Sequence, residues 1–405
     1  MPRVIGMGII GAGRIFEHHA RAYAALGGRA RLLAVAEIDE ERLRRATAHH
    51  FIPFAYRDHR ALLERADVEV VAICTPPVLH EALVIDALEA GKYVLCEKPL
   101  APTLAATDRI LTAARRFPGR LSTVHQFRWL PEVQRTIWLR DHDRLGRLLF
   151  GRFSRFARHG KPGKLAKPGK PAKPGKARTD WWGRWEVAGG GAVMTQLIHE
   201  LDLMGHLFGA ATEVSALMDT LKEPIESEDT CAAVVRFASG ALGCCYGTVV
   251  AQKTASAFDV FGERGSTHLP WALEALDSKW RAESLRAVMA AYPAPAQGST
   301  ILGWLAKMLP GRAQSPEPEE GETPAHAPYV AAVLDAIEAG QPLPVGPEEA
   351  RAAVELCTAL YASALEGRPM ALPLGRDHRF YAGITSGDYA ERDRQLPSSV
   401  GRGVS

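Results

Sequence analysis

Long apolar runs are missing from this 405-residue chain. None reaches the length needed to cross a bilayer, so a helical membrane protein is not expected. Cysteine is scarce: Cys74, Cys96, Cys231, Cys244, Cys245 and Cys357 are all there is, and no two form a Cys-x-x-Cys pair. Most sit in apolar runs, which points to reduced, buried thiols. A disulfide or zinc framework is therefore not expected, and no metal site is read from the sequence. A charged-then-apolar leader is also missing. Met-Pro-Arg-Val-Ile-Gly passes straight into a strand pattern, so a cytoplasmic location is expected. A strong charge of either sign is lacking too, the formal net charge being +3. Six lysines between Lys161 and Lys176 carry more than that excess, with no acid among them. The remainder is mildly acidic, so nucleic-acid binding gains no support from net charge.

What is present is the balance of an ordinary soluble protein, 47% hydrophobic and 23% charged, at a length that implies two domains or more. The chain is organised around Tyr93-Val94-Leu95-Cys96-Glu97-Lys98-Pro99. Its apolar half reads as a buried parallel strand, which Pro99 must end because proline cannot donate to a sheet ladder. Strand carboxyl ends face the ligand crevice in open α/β sheets, so Lys98 is placed for chemistry. The plainer reading is a solvated loop lysine.

The first 126 residues alternate strand and helix. Val4 to Ile10 is a nearly continuous apolar strand followed by Gly11-Ala12-Gly13 and a helical pattern from Arg14. A literal G-x-G-x-x-G at Gly6, Gly8 and Gly11 would put the turn inside the strand and is rejected. In the better register Phe16 replaces the third small residue. There Gly11 permits the tight turn, and Gly13 lets the backbone approach a pyrophosphate seated on the helix N-terminus with Arg14 and Ile15. The second strand ends at Glu37, an acid placed to bind adenosine ribose hydroxyls and to repel a 2′-phosphate, which favours NAD over NADP. Glu37 could otherwise be a helix N-terminal acid, a role that suits Asp39 better. Val70 to Cys74, Tyr93 to Pro99 and Leu121 to Phe127 supply further strands, with helices from about Glu81 and Thr103. Repeated βα units imply an α/β fold with a doubly wound parallel sheet. Thr75-Pro76-Pro77 turns into the helix after the fourth strand, where His80 either faces the cofactor cleft or caps the loop.

Gly11-Ala12-Gly13, Thr75-Pro76-Pro77 with His80, and Glu97-Lys98-Pro99, in order at strand ends, resemble the Gfo/Idh/MocA oxidoreductases. The resemblance implies an N-terminal Rossmann domain over 1–126 and a C-terminal α+β domain over 127–376, with a largely antiparallel open sheet. It implies a cofactor cradle of Gly11, Gly13, Arg14, Ile15, Glu37, Thr75, Pro76, His80, Glu97 and Lys98. Lys98 would lie beside the nicotinamide and the substrate hydroxyl, and a cis Lys98–Pro99 peptide is expected. The open sheet would build a homo-dimer or tetramer.

Beyond residue 126, Phe127-Arg128-Trp129-Leu130-Pro131 starts a helix and Leu148 to Phe156 reads as a strand. Lysine at every third position from Lys161 to Lys176, among prolines and glycines, rules out a helix or packed strand. The stretch 160–178 reads as a solvated insert, less readily as an electrostatic tether, and the family resemblance does not cover it. Asp180-Trp181-Trp182-Gly183-Arg184-Trp185 could stack a sugar ring and clamp an anion, or plug the domain seam; a substrate rim is preferred. Gly189-Gly190-Gly191 opens a helix on which Thr195, His199 and Asp202 fall at i, i+4 and i+7. By resemblance His199 is the general base. Many members pair it with an aspartate four residues earlier, where this chain has Thr195, and Asp202 is expected to orient His199 instead. Alternating, β-branched stretches from Val214 to Phe261 read as the antiparallel sheet. Trp271 to Ala290 and Ile301 to Leu309 are expected helices, and Gln314 to Pro324 an acidic loop. Tyr329 to Glu338 and Pro347 to Leu365 are expected closing helices, and residues 377–405 a loose tail.

The resulting expectation is NAD(P)-dependent hydride transfer at a secondary alcohol of a sugar, cyclitol or nucleotide sugar. Lys98, His199, Thr195 and Asp202 would be catalytic, with Arg128, Trp182 and Arg184 joining Lys98 and His199 around the substrate. The alternatives are a redox-neutral, NAD-dependent glycosidase or lyase of the same family, and a non-catalytic dinucleotide-binding sensor or scaffold. Neither nucleic acid nor a membrane is an expected partner.

Overall fold

Ile5–Ile10 (β1) is buried along its whole length, as a parallel strand covered on both faces must be. The computed structural model describes residues 3–158, 181–269, 272–275, 277–292 and 326–395. The insert at 160–178, the expected helix at 301–309 and the acidic loop at 314–324 lie outside these residues. β1 pairs in parallel with Ala30–Ala36 (β2) and Val70–Ile73 (β4). Phe54–Tyr56 (β3), Tyr93–Cys96 (β5) and Leu121–Thr123 (β6) complete a six-stranded sheet in the order β3-β2-β1-β4-β5-β6. Strand order reverses at β1, and the crevice at that switch point is where a dinucleotide binds in such folds. Gly6 and Gly8 lie within β1, so the turn falls at Gly11.

Apolar layers cover both faces of the sheet. One contains Phe16 and Tyr23 from the helix Phe16–Ala25, packed with Ile5, Met7 and Ile9. The other contains Leu83, Val84 and Ile110 from the helices His80–Glu89 and Leu104–Ala114. Asp39 caps the helix Glu40–His50 by accepting from the Arg42 N–H at 2.9 Å, the capping role preferred for it above.

The second sheet has eight strands: Leu148–Arg158 (β7), Ala211–Asp219 (β8), Thr230–Phe237 (β9), Leu242–Thr248 (β10), Val250–Gly262 (β11), Ser266–His268 (β12), Ala272–Glu274 (β13) and Met370–Ala371 (β14). Their order is β13-β12-β11-β7-β10-β9-β8-β14, and only the β7–β10 pair is parallel. Along β9, burial alternates residue by residue. One face packs on the helices Ile198–Phe208 and Pro347–Glu366, while the other leaves Leu217 and Val234 exposed.

Three expectations change. The stretch after residue 271 opens as β13, and the helix begins only at Ser278, capped by Asp277. The helix His326–Glu338 returns to the first sheet, placing Tyr329, Val330, Val333 and Leu334 in the layer under β1. The tail is not loose as far as Gln395: Phe380, Ile384 and Tyr389 are buried in the core of the second unit, and Ser386–Gln395 is helical. Three apolar residues spaced among polar ones suffice for docking, a pattern too sparse to read as a helix.

Candidate active site

Gly11 turns the chain out of β1 at φ +97°, and a Cβ there would sit 2.7 Å from the Cys74 carbonyl oxygen. Only glycine fits that approach. A Cβ at Gly13 would meet nothing within 4 Å, so the loop presents open space. Arg14 is exposed, and Ile15 is the N-cap of the helix Phe16–Ala25, whose free N–H groups face an arriving anion. Glu37 ends β2 and accepts from the Ala12 N–H at 2.7 Å and the Asp39 N–H at 3.0 Å. At the end of β4, Thr75 holds a buried hydroxyl with no hydrogen-bond partner. Together these residues fit an adenine dinucleotide: a cradle without a Cβ, a helix N-terminus, a strand-end acid and an unused hydroxyl.

His80 belongs to the scaffold rather than to the cleft. It is fully buried, with Nδ1 2.9 Å from the Pro99 carbonyl and Nε2 2.9 Å from the Thr75 carbonyl. Both ring nitrogens face backbone carbonyls, the neutral ring donating to one of them, and the ring lies between the two strand-end loops. Burial lowers its pKa.

β5 delivers Glu97 and Lys98, and the Lys98–Pro99 peptide is cis. Glu97 is buried and paired with His19 at 2.8 Å. Burial opposes its ionisation, but His19 and His326 outweigh that and hold its carboxyl well below the ordinary value. Lys98 reaches into the second unit, where Nζ donates to the Thr195 carbonyl at 2.6 Å. Burial brings its ammonium down to about 8, against the opposing pull of Glu97.

Thr195 and His199 do not stand on one regular helix. Val193–Leu197 forms a π-helical turn that passes into the α-helix Ile198–Phe208. Such a turn shifts side chains off the 3.6-residue register. The Thr195 hydroxyl donates to the Gly191 carbonyl at 2.6 Å and accepts from the Trp182 indole at 3.0 Å. What Thr195 offers Lys98 is its backbone. His199 lies flat on Phe127, with ring centroids 4.2 Å apart and planes 18° apart, and its Nδ1 is buried without a partner. Burial, then the Lys98 and Arg155 charges, hold its pKa well below 6.5. The site therefore pairs a neutral imidazole acceptor with a cationic donor.

The expectation that Asp202 orients His199 fails. Both Asp202 oxygens are taken by Arg128, at 2.8 and 2.7 Å, and Arg128 also reaches Glu349 at 2.6 Å. Arg128 is 6% exposed, so both members of this fork-shaped pair are structural and Arg128 is no free substrate clamp. Arg184 pairs with Glu186. Trp182 meets Thr195, while Trp185 packs on Tyr361 and Tyr389 in the core.

Several neighbours escaped the sequence reading. Phe127 is the platform under His199. Arg155 on β7 stacks over the Phe127 ring at 4.4 Å and pairs with the buried Glu200. His125, 1% exposed, has no hydrogen-bond partner for either nitrogen among the described residues and lies edge-on to His199 at 6.2 Å. His125 follows β6, so the strand-end rule applied to Lys98 would have found it. Arg155 carries no local signal, because its role depends on a strand from the other unit.

The profile described as "Oxidoreductase family, NAD-binding Rossmann fold" matches residues 5–125, and that described as "GFO/IDH/MocA C-terminal domain" matches residues 139–268. The chain is 28% identical over 248 residues to the D-apiose dehydrogenase of Paraburkholderia graminis, covering 60% of this chain and 61% of that protein. It is 26% identical over 242 residues to the myo-inositol 2-dehydrogenase of Thermotoga maritima, covering 58% and 66%. These matches thus span less than two thirds of either relative. The solved structure of the WlbA dehydrogenase from Bordetella pertussis, in complex with NADH and UDP-GlcNAcA, shares the fold at TM-score 0.71 and 24% identity, covering 92% of this chain and 99% of that one. With both halves of the fold matched in order, the chain belongs to the Gfo/Idh/MocA family of NAD-binding oxidoreductases.

Proposed function

We propose that this protein transfers hydride between NAD and a secondary alcohol, or the matching ketone, of a sugar, cyclitol or nucleotide sugar. The observation that carries the reading is the Lys98 ammonium, delivered by the dinucleotide-binding unit and held 2.6 Å from the Thr195 carbonyl, one helical turn before His199. In this reading His199 accepts the hydroxyl proton and Lys98 donates a hydrogen bond to the developing alkoxide, stabilising charge that appears in the transition state. The nicotinamide supplies the hydride acceptor or donor carbon. Trp182, bonded to the Thr195 hydroxyl, supports a substrate-facing role for that ring. Glu37 at the end of β2 supports NAD over NADP, because a carboxylate repels a 2′-phosphate. The open face with Leu217 and Val234 supports assembly into a homo-dimer or tetramer. Among the described residues no helix is long and apolar enough to cross a membrane.

The test is the nicotinamide absorbance change across sugars, cyclitols and nucleotide sugars, with NAD and NADP side by side. Turnover by one substrate class with NAD is expected, falling ~100-fold or more in Lys98→Met. Turnover that survives that substitution at the full rate, or bound dinucleotide with no turnover across the panel, would overturn the reading.

A further inference from the structure

We propose that His19, Glu97 and His326 form a binding site for one divalent transition-metal ion, with Zn²⁺ the ion their chemistry suits. The three come from separate elements: the helix Phe16–Ala25, the end of β5, and the first residue of the helix His326–Glu338. One ligand atom from each lies within 4.8 Å of the other two, and all three residues are buried. The Glu97 carboxylate oxygen is 2.8 Å from His19 Nε2 and 3.8 Å from His326 Nε2. Tetrahedral zinc with nitrogen and oxygen at its usual bond lengths sets neighbouring ligand atoms roughly 3.3 Å apart. The two distances lie on either side of that value.

The second observation is His326 itself. It is 1% exposed, and among the described residues neither ring nitrogen has a hydrogen-bond partner, the Glu97 carboxylate standing 3.8 Å away. Buried polar groups in folded proteins are nearly always paired, so an imidazole held just beyond hydrogen-bond reach of a carboxylate calls for a ligand. Its orientation is supported by His18, whose ring stacks on it at 5.4 Å. His19 already has an outer partner, with Nδ1 3.2 Å from the Tyr23 hydroxyl, the arrangement that fixes the tautomer of a ligating histidine. Two imidazoles and a carboxylate suit zinc and leave a fourth position open. None of the three is Lys98 or His199, but Glu97 precedes Lys98 and helps to hold its charge, so an ion here would act on that pair through charge. Its structural effect would be to tie the returning helix to the dinucleotide-binding unit.

The full-length protein is stripped with a chelator, then titrated with Zn²⁺ alone against a competing colorimetric chelator, and metal content is measured by mass spectrometry. One equivalent is expected, with a rise in Tm. His326→Gln should weaken zinc binding at least 10-fold and abolish that rise. His50→Gln should change neither; it tests the half-exposed cluster Glu17, His49 and His50, the second such group among the described residues. Co²⁺ in the unaltered protein provides a readout that needs no variant, and an intense visible band from tetrahedral coordination is expected. Absence of zinc uptake, loss of uptake in His50→Gln with retention in His326→Gln, or a cobalt spectrum like that of the aquated ion would each overturn the proposal.

Discussion

In the proposed mechanism Lys98 and His199 take opposite protonation states because burial pushes both toward their neutral forms from different starting points. Lys98 falls from 10.5 to about 8 and remains mostly a cation at neutral pH. His199 falls well below 6.5 and is neutral there. A neutral acceptor beside a cationic donor is what alcohol oxidation needs, and the pH dependence follows. In the proposed mechanism Lys98 acts protonated, so kcat/KM should decline as pH rises through about 8, while the acidic limb should lie below pH 6.5. Lys98→Arg keeps the charge at all accessible pH but not the reach of an ammonium, so its rate should be lower and its alkaline limb gone. An alkaline limb unchanged in that variant would assign it to another group.

The element that sets this geometry is the segment from Gly189 to Leu197. Glu228 holds its entry, accepting from the Val193 N–H at 2.7 Å, the Gly191 N–H at 3.1 Å and the Tyr361 hydroxyl at 3.0 Å. A Cβ at Gly190 would lie 1.9 Å from that same hydroxyl, so glycine is required for the approach. Burial pushes the Glu228 carboxyl up to about 7 despite the three donors. Because it binds its proton more tightly folded than unfolded, its contribution to stability declines as pH rises from 4.5 to about 7. Glu228→Gln should remove that slope in chemical denaturation. At pH 8 it should cost about 1–3 kcal/mol, since an amide NH₂ would face one of the backbone donors. Equal stability and an equal pH slope in the two proteins would refute the clamp. The same segment marks where sequence reading stops. Continuous apolar strands, the Gly11 turn and the stop at Pro99 were legible because each is a local consequence of burial or backbone chemistry. The π-turn was not: periodicity assumes 3.6 residues per turn, and the departure at Val193–Leu197 depends on Glu228, Tyr361 and Lys98 from distant parts of the chain. Arg128 and Asp202 each looked like site residues on local grounds, but they neutralise one another across 74 positions. His19, Glu97 and His326 likewise have no common spacing that could announce them.

At the scale of the whole molecule, the chain crosses between its two units more than once, and the tail is one of the crossings. The Tyr381 hydroxyl donates to Asp108 at 2.6 Å, and the Ala105 N–H donates to the Tyr381 carbonyl at 3.1 Å, both on the helix Leu104–Ala114 of the first unit. Tyr389 meets Thr220 at 3.2 Å and packs on Trp185 at 5.4 Å in the second unit. The tail therefore ties the helix Leu104–Ala114 of the first unit to the second unit. Phe380 is 1% exposed, and each large side chain so buried is worth about 1.5–3 kcal/mol. Ending the chain after Asp377 removes Phe380, Ile384 and Tyr389 from the core and cuts both tethers. The shortened protein should lose several kcal/mol of stability, read as a lower Tm. It should lose substrate turnover more than dinucleotide binding, because the cradle at Gly11, Gly13 and Glu37 lies in the first unit. Tyr381→Phe isolates the tether, since it removes only the bond to Asp108. It should lower Tm slightly and leave the fold intact. A chain ending at Asp377 that melts with the full-length protein would show that the packing of Phe380, Ile384 and Tyr389 and both tethers contribute nothing to stability.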